Sequence, residues 1–543
     1  MLLSAIVAAF SLVGLKRGRA MLRQYLVWPV TTLITLAVVG LAVEVILWAL
    51  GTFGGPTVGG NRFLLPLVLI MSGGFLGGLY WAKRGRAASK RREGRGALVS
   101  DGATAQAATR KLRNRMFRAK VRRLPSAQIP LTIAGVAVPF EDEFKHFKFI
   151  GTTGTGKRTV LRELLHAALG RGDRAVIADP DGGYLSRFYN PGRGDAILNP
   201  FDLRSAKWDL FAELRNAYDV DELAQAFIPD RGSDPTWTNF ARTLFTAVTA
   251  QAQAAGIDDV GELYRLLVAA PKEELQVLVT GTPAAPFLET GSDKLFQGVR
   301  STVTAAVKSL DFVRAQPDAG FPGNGSPVPG FSVREWVKAG RGVLFLPYQA
   351  DQIAALRAIL SIWMRLAIFQ TMSLGEGDHR LWFVVDELDA LGAINGLPDA
   401  LTRLRKFGGR CVLGLQSIAQ ASTNYGQGVA QSLIENCGNT LILRCSASEG
   451  GGTAQYASRL IGEREVVRRA RSVSRSRGAR FGDGRDTHGH SEQTVTELAV
   501  LAAEIEQLRD RTGFLKFASQ PGWMRVAFPM YETEKLAAPF VPR

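Results

Sequence analysis

The run Gly151-Thr152-Thr153-Gly154-Thr155-Gly156-Lys157 lies between a short apolar stretch, Phe147 to Ile150, and a helical pattern from Thr159 to Leu169. Strand, Gly-rich loop and helix in that order offer a nucleotide three things. The glycines let backbone N–H groups cradle phosphates, the helix N-terminus favours anions, and Lys157 reaches the β- and γ-phosphates. The residue after such a lysine is ordinarily Ser or Thr, whose hydroxyl holds Mg²⁺. Here it is Arg158, with Thr159 one step later. Arginine has no acceptor atom and carries a positive charge. Two outcomes follow. Either Arg158 turns away, leaving Mg²⁺ to phosphates, water and Asp386 with slow hydrolysis, or its guanidinium contacts a phosphate and partly replaces the metal. The first is the expected outcome. Thr159 is rotated by about 100° on the helix and is expected to face the α-phosphate instead.

A second signal stands far downstream. Leu381-Trp382-Phe383-Val384-Val385 reads as a buried strand ending in Asp386 and Glu387. Asp386 is placed to bind Mg²⁺, directly or through water, and Glu387 to take a proton from attacking water. Acids at a strand end are common, and this motif gains its force from the Gly-rich loop. Asp179, ending another apolar run, fits either the site or a turn.

Positioning these groups takes a sheet. Further apolar runs at Ala175 to Ala178, Val343 to Leu346, Cys411 to Leu415 and Thr440 to Leu443 are separated by helical stretches. That alternation predicts an α/β fold with a mostly parallel sheet covered on both faces. Ligands in such sheets bind at the carboxyl ends of the strands, where the loop, Asp386, Glu387 and Gln416 all fall. Between about Phe201 and Val333 strand signals fade. Helical patterns at Asp219 to Phe227, Thr238 to Gln253 and Asp293 to Val313 predict an all-α insertion. The expected division is 1–82 membrane region, 83–126 basic linker, 127–200 with 334–543 nucleotide-binding domain, and 201–333 all-α domain.

The chain has 543 residues and a net charge of +17. So basic a balance points to nucleic acid, an anionic membrane surface, or both. Two apolar stretches, Tyr25 to Leu50 and Phe63 to Ala82, are long enough to cross a bilayer and have aromatic residues near their ends. Lys16, Arg17, Arg19 and Arg23 precede the first; Lys83, Arg84, Arg86, Lys90, Arg91 and Arg92 follow the second; Arg62 alone lies between. Positive flanks stay inside, so both termini are expected in the cytoplasm of a bacterial inner-membrane protein. Residues 1–15 are apolar but short for a span, and no convincing signal cleavage site follows. Gly73 with Gly77, and Gly74 with Gly78, fit close helix packing or a generic Gly-rich membrane helix. Lys83 to Arg123 holds fifteen Lys or Arg against Glu93 and Asp101, suiting anionic lipid or a DNA-facing collar.

Cys411, Cys437 and Cys445 form neither a disulfide framework nor a zinc pattern. His488 and His490 lie in a polar stretch that reads as a solvated loop. The Arg/Ser-rich run from Arg464 to Arg485 is expected to be mobile, and suits a DNA path or a surface loop.

These segments together resemble TraD-like conjugative coupling proteins. The likeness covers most of the chain. It rests on the two spans, residues 151–157, Asn199-Pro200-Phe201-Asp202 before Trp208-Asp209, Arg405-Lys406-Phe407-Gly408 leading to Gln416-Ser417-Ile418-Ala419-Gln420, and Leu508 to Leu515. The resemblance implies a RecA-like motor using ATP and Mg²⁺, assembled as a hexamer around a channel. It also implies an arginine finger at Arg405 acting in trans, a γ-phosphate sensor at Gln416, and delivery of a relaxase-bound single strand to a type IV secretion channel. A guanidinium can neutralise transition-state charge and an amide can orient water. Arg405 beside Arg403 and Lys406 also fits a solvated basic face.

Two other readings share parts of this pattern. An FtsK-like double-stranded DNA translocase would have the spans and motor, but a long linker and a recognisable C-terminal winged helix are missing. A non-hydrolysing membrane receptor for DNA or protein would explain Arg158.

Overall fold

A computed structural model describes residues 96–120, 130–229, 235–316, 330–448, 452–476 and 485–543, with the backbone alone for 114–120, 468–476 and 485–492. The sequence-predicted membrane spans lie outside the described residues. Residues 95–543 form one compact unit.

The strands are β1 (Val99–Asp101), β2 (Thr132–Ile133), β3 (Val136–Ala137), β4 (Phe147–Ile150), β5 (Arg174–Pro180), β6 (Ala196–Ile197), β7 (Val343–Tyr348), β8 (Leu381–Val385), β9 (Gly409–Leu415), β10 (Asn439–Ile442), β11 (Glu463–Ser476), β12 (Arg485–Leu498), β13 (Thr512–Lys516) and β14 (Trp523–Ala527). Ten of them make one sheet in the order β1-β14-β13-β10-β4-β9-β8-β5-β7-β6. From β10 to β6 every neighbour is parallel. The antiparallel β13 and β14 and the short β1 extend the other edge.

All six sequence-predicted strands are present. β4, β7, β8, β9 and β10 are buried along their whole length, as continuous apolar runs must be when both sheet faces are covered. Two cores result. On one face, Val160, Leu161, Leu164, Leu165 and Ala168 of α2 (Lys157–Gly170) share a core with Phe147 and Phe149. Each of the Val and Leu side chains contributes about 1.5–3 kcal/mol on burial.

The other core lies under the helices between β6 and β7, where the described residues hold no strand. These are α3 (Ala217–Phe227), α4 (Pro235–Ala254), α5 (Val260–Val268), α6 (Lys272–Leu278), α7 (Asp293–Ala306), α8 (Lys308–Arg314) and α9 (Val333–Ala339). After β7 follows α10 (Ile353–Ser373), then α11 (Ile418–Tyr425) and α12 (Gln427–Asn436). Among the described residues α10 alone has the length and composition of a membrane span, yet most of it is buried in this core, where Trp363 meets Trp208 edge to face.

The Asn199-Pro200-Phe201-Asp202 and Trp208-Asp209 motifs lead into the helical layer and are anchored there. Asn199 Nδ2 donates to Pro347 O at 3.0 Å, tying the end of β6 to β7. Glu213, fully buried, accepts from Trp208 Nε1 at 2.9 Å and from the Val333 and Arg334 N–H groups at 2.6 and 3.1 Å. It thus caps α9 and closes the helical excursion on itself.

Two segments differ from expectation. The described part of the Arg/Ser-rich run is not a loop: β11 and β12 pair antiparallel in register from Glu463↔Leu498 to Ser476↔Arg485. A polar composition does not prevent pairing, since the ladder is made by backbone groups. The second is the basic linker. Its residues 99–101 join the sheet edge, and Ala103–Lys120 is a helix, α1. Gln106 Nε2 holds α1 to Ala134 O and Ala527 O, each at 2.8 Å.

Candidate nucleotide site

The Gly-rich loop follows β4 at the carboxyl edge of the sheet. Gly151 cannot be replaced without displacing backbone: a Cβ there would lie 2.9 Å from Leu443 Cβ. Its N–H donates to Leu415 O and that of Thr152 to Arg444 O, which anchors the loop to β9 and to the segment after β10. Gly154 and Gly156 have φ of 80° and 117°, the left-handed region that a tight phosphate loop requires. The N–H groups from Gly154 to Arg158 have no acceptor among the described residues and stand at the start of α2. That is an anion site by geometry.

Leu508 to Leu515 closes the loop from outside. Arg511 N–H donates to Thr155 O at 2.8 Å and Phe528 N–H to Arg511 O at 3.0 Å. Thr155 Oγ1 turns back to Thr152 O. Thr159 is buried, its hydroxyl 3.6 Å from Met530 Sδ.

Lys157 is buried and donates to Gly151 O, folding over its own loop. Burial lowers its pKa, while the charges of Asp386 and Glu387 work to keep it protonated. Asp386 is buried at the end of β8, beside β9. A Cβ at Gly414 would lie 1.9 Å from Asp386 O, so only glycine allows this approach. Burial, then the neighbouring Asp386, raises the Glu387 carboxyl above its ordinary range, in the direction that suits a base near neutrality. Gln416, after β9, completes the group: Thr153 Oγ1 donates to its Oε1 at 3.1 Å. Lys157, Asp386, Glu387, Gln416 and the loop from Gly151 to Thr159 therefore share one end of the sheet.

Arg158 does not turn away. Its Nε donates to Asp386 Oδ2 at 3.0 Å, and Nη2 lies 3.5 Å from Asp181 Oδ2 and 3.6 Å from Glu387 Oε1. The sequence expectation is corrected by charge: three carboxylates lie within 3.6 Å of the guanidinium, and a cation on α2 is drawn to them. Burial opposes this charge, but Asp386 outweighs it and holds the guanidinium above its usual pKa.

Arg405 is elsewhere. It is exposed on the turn Leu404–Phe407, at the opposite end of β9.

Two acids escaped the sequence reading. Asp181, with φ of 59°, joins the Arg158 cluster from the turn after β5. Asp389 is half-buried three residues after Asp386, and burial pushes its carboxyl to about 6. Its spacing was visible; its inward turn was not. Asp179 serves the turn: it accepts from Tyr184 and Leu185 N–H groups, and burial raises its carboxyl to about 7. Cys411, Cys437 and Cys445 are buried free thiols. The side chains of His488 and His490 lie outside the described residues.

For Mg²⁺ the residues give a partial match. The Asp386 Oδ1 atom is buried with no hydrogen-bond partner among the described residues, which fits a cation, whereas the hydroxyl ligand is replaced.

Residues 130–529 match the family described as the type IV secretion-system coupling protein DNA-binding domain. The chain is 30% identical over 420 residues to the coupling protein TraD of Escherichia coli (strain K12), covering 76% of this chain and 56% of TraD. The chain thus spans little more than half of TraD. It is 23% identical over 251 residues to the protein VirD4 of Rhizobium radiobacter, 44% of this chain and 35% of that protein. Among solved structures, the plasmid coupling protein TrwB in complex with ADP and Mg²⁺ is similar with a TM-score of 0.68 at 30% identity, covering 83% of this chain and 98% of that one.

Proposed function

Since the chain belongs to the family of type IV secretion-system coupling proteins, we propose that it is an ATP-driven motor that passes a relaxase-bound single DNA strand to a type IV secretion channel during conjugation. The observation that carries this reading is the convergence of Lys157, Asp386, Glu387 and Gln416 on an open set of loop N–H groups at one sheet edge. TrwB was solved with ADP and Mg²⁺ and with an ATP analogue, and its fold matches this one.

The chain's own groups divide the work. Loop N–H groups receive the phosphates. Lys157 exchanges Gly151 O for a phosphate oxygen, and water is excluded by the lid of Arg511 and Phe528. Gln416 orients water, and Glu387 takes its proton. Asp386 would hold Mg²⁺, whose charge would offset that developing on the phosphates.

The larger architecture follows the same reading. The sheet is a RecA-like motor, the helices of 201–333 form its all-α domain, and two spans within 1–82 anchor it to the bacterial inner membrane with both termini cytoplasmic. Anionic lipid or DNA meets the basic collar. Six copies ring a channel, with nucleotide between subunits and Arg405 reaching a neighbour's site.

The deciding experiment is ATP hydrolysis by the purified full chain with no DNA, single strands or duplex. Stimulation by single strands is expected. Stimulation by duplex alone would favour an FtsK-like translocase, and no turnover in any condition a receptor.

A further inference from the structure

Arg158 occupies a place where a P-loop ordinarily offers a neutral hydroxyl. It is not a stray surface charge. One guanidinium faces Asp386, Glu387 and Asp181 within 3.6 Å, while its Nη1 donates to no acceptor among the described residues. The side chain remains 39% exposed, and it starts from the same loop whose N–H groups are free. It therefore has a parked position, an unused donor and room to turn.

Asp386 is buried, Glu387 half-buried and Asp181 exposed beside them, and a cation among the three offsets their mutual repulsion. A triphosphate entering here would add several more negative charges. In an ordinary loop the metal offsets both. Here a cation attached to the chain is already present, and a guanidinium fork matches phosphate oxygens better than an ammonium does.

Resting on the nucleotide-binding reading above, we propose that Arg158 is a built-in phosphate-binding cation: when nucleotide enters, its guanidinium swings from Asp386 to the β- and γ-phosphate oxygens, so that nucleotide affinity depends little on Mg²⁺. The movement needs only side-chain rotation at the first turn of α2. It also frees Asp386 Oδ2, beside the already unpartnered Oδ1, at the moment the phosphates arrive, so Arg158 holds the acid cluster together in the empty site and releases it in the filled one.

Binding, not turnover, tests this. The full chain in detergent is titrated with a fluorescent, non-hydrolysable ATP analogue, once with Mg²⁺ and once with EDTA. The parent is expected to bind in both with Kd values within about threefold, allowing for the strength of a charge-assisted phosphate contact. Arg158→Ser, which restores the hydroxyl, is expected to bind in Mg²⁺ and lose about tenfold or more in EDTA. Arg158→Lys keeps the charge and is expected to retain binding in EDTA. A parent that loses tenfold or more in EDTA overturns the proposal while leaving the nucleotide site standing. Parent and Arg158→Ser equally indifferent to Mg²⁺ overturn it too. No binding by the parent in either condition overturns the nucleotide reading itself.

Discussion

Arg405 and Gln416 stand at opposite ends of one strand: Arg405 lies in the turn before Gly409, the first residue of β9, and Gln416 follows Leu415, its last. A strand rises about 3.3 Å per residue, so seven residues separate the two by roughly 23 Å. One subunit cannot bring both to one phosphate. If Arg405 is the finger, it serves a neighbour. Arg405→Ala is then expected to lower ATP turnover by about 10³-fold with nucleotide binding retained. Mixing Arg405→Ala with Lys157→Ala subunits is expected to recover part of the activity, because some interfaces then pair an intact loop with an intact arginine. Mixtures as inactive as either variant alone would place Arg405 outside catalysis.

Glu387→Gln is expected to reduce hydrolysis by roughly 10²–10⁴-fold while nucleotide still binds, since only the proton acceptor is lost. Lys157→Ala is expected to lose binding as well. Both should abolish DNA transfer in a mating assay without changing the amount of protein in the membrane. Normal transfer by either variant would contradict the proposed motor.

His146 supplies a pH prediction away from the site. Its ring is buried, its Nδ1 accepts from Cys411 N–H at 3.1 Å, and its Nε2 faces Leu401 O at 2.9 Å, a pattern that fits a neutral ring. Burial, helped by the charge of Arg405, lowers its pKa from 6.5 to about 4. The unfolded chain therefore takes up a proton here before the folded one does. The stability is fully present above about 6.5 and is lost as pH falls towards 4. The loss amounts to roughly 3 kcal/mol over that window. Thermal melts of the parent should decline between these values, and His146→Gln should flatten that limb.

Glu213→Ala should destabilise the fold by about 3 kcal/mol, because buried donors on Trp208, Val333 and Arg334 lose their acceptor together. Denaturant unfolding measures the loss. Nucleotide affinity below the melting range should be unchanged, since Glu213 belongs to the helical layer.

DNA binding should weaken steeply with salt and vary little with sequence. On single strands log K is expected to fall with log salt at a slope of about −0.7 per phosphate contacted. A filter or anisotropy titration at several salt concentrations gives the slope. Tight, salt-resistant binding to one sequence would contradict contact through the basic collar and the Arg-rich hairpin.

The α/β alternation, the six strands that built the site and the phosphate loop were legible in the residues because each is a local matter. Apolar run length, glycine spacing and helical period act within a dozen positions. Strands β13 and β14 were harder, because they pair antiparallel and lie outside the strand–helix alternation. The Arg/Ser-rich stretch misled because its polar composition hides the pairing of β11 with β12, which needs only backbone partners. Strand order was not legible at all: β4 lies between β9 and β10, which follow it by more than 250 residues. The direction of Arg158 depends on the same long-range assembly. Its residue type excluded a hydroxyl ligand, but three carboxylates from β8 and the turn after β5 had to be gathered before its charge had somewhere to go. Sequence thus determined which chemical groups the site contains. Only the tertiary structure decided which of them face one another, because a charge falls into place against neighbours that the chain brings from far away.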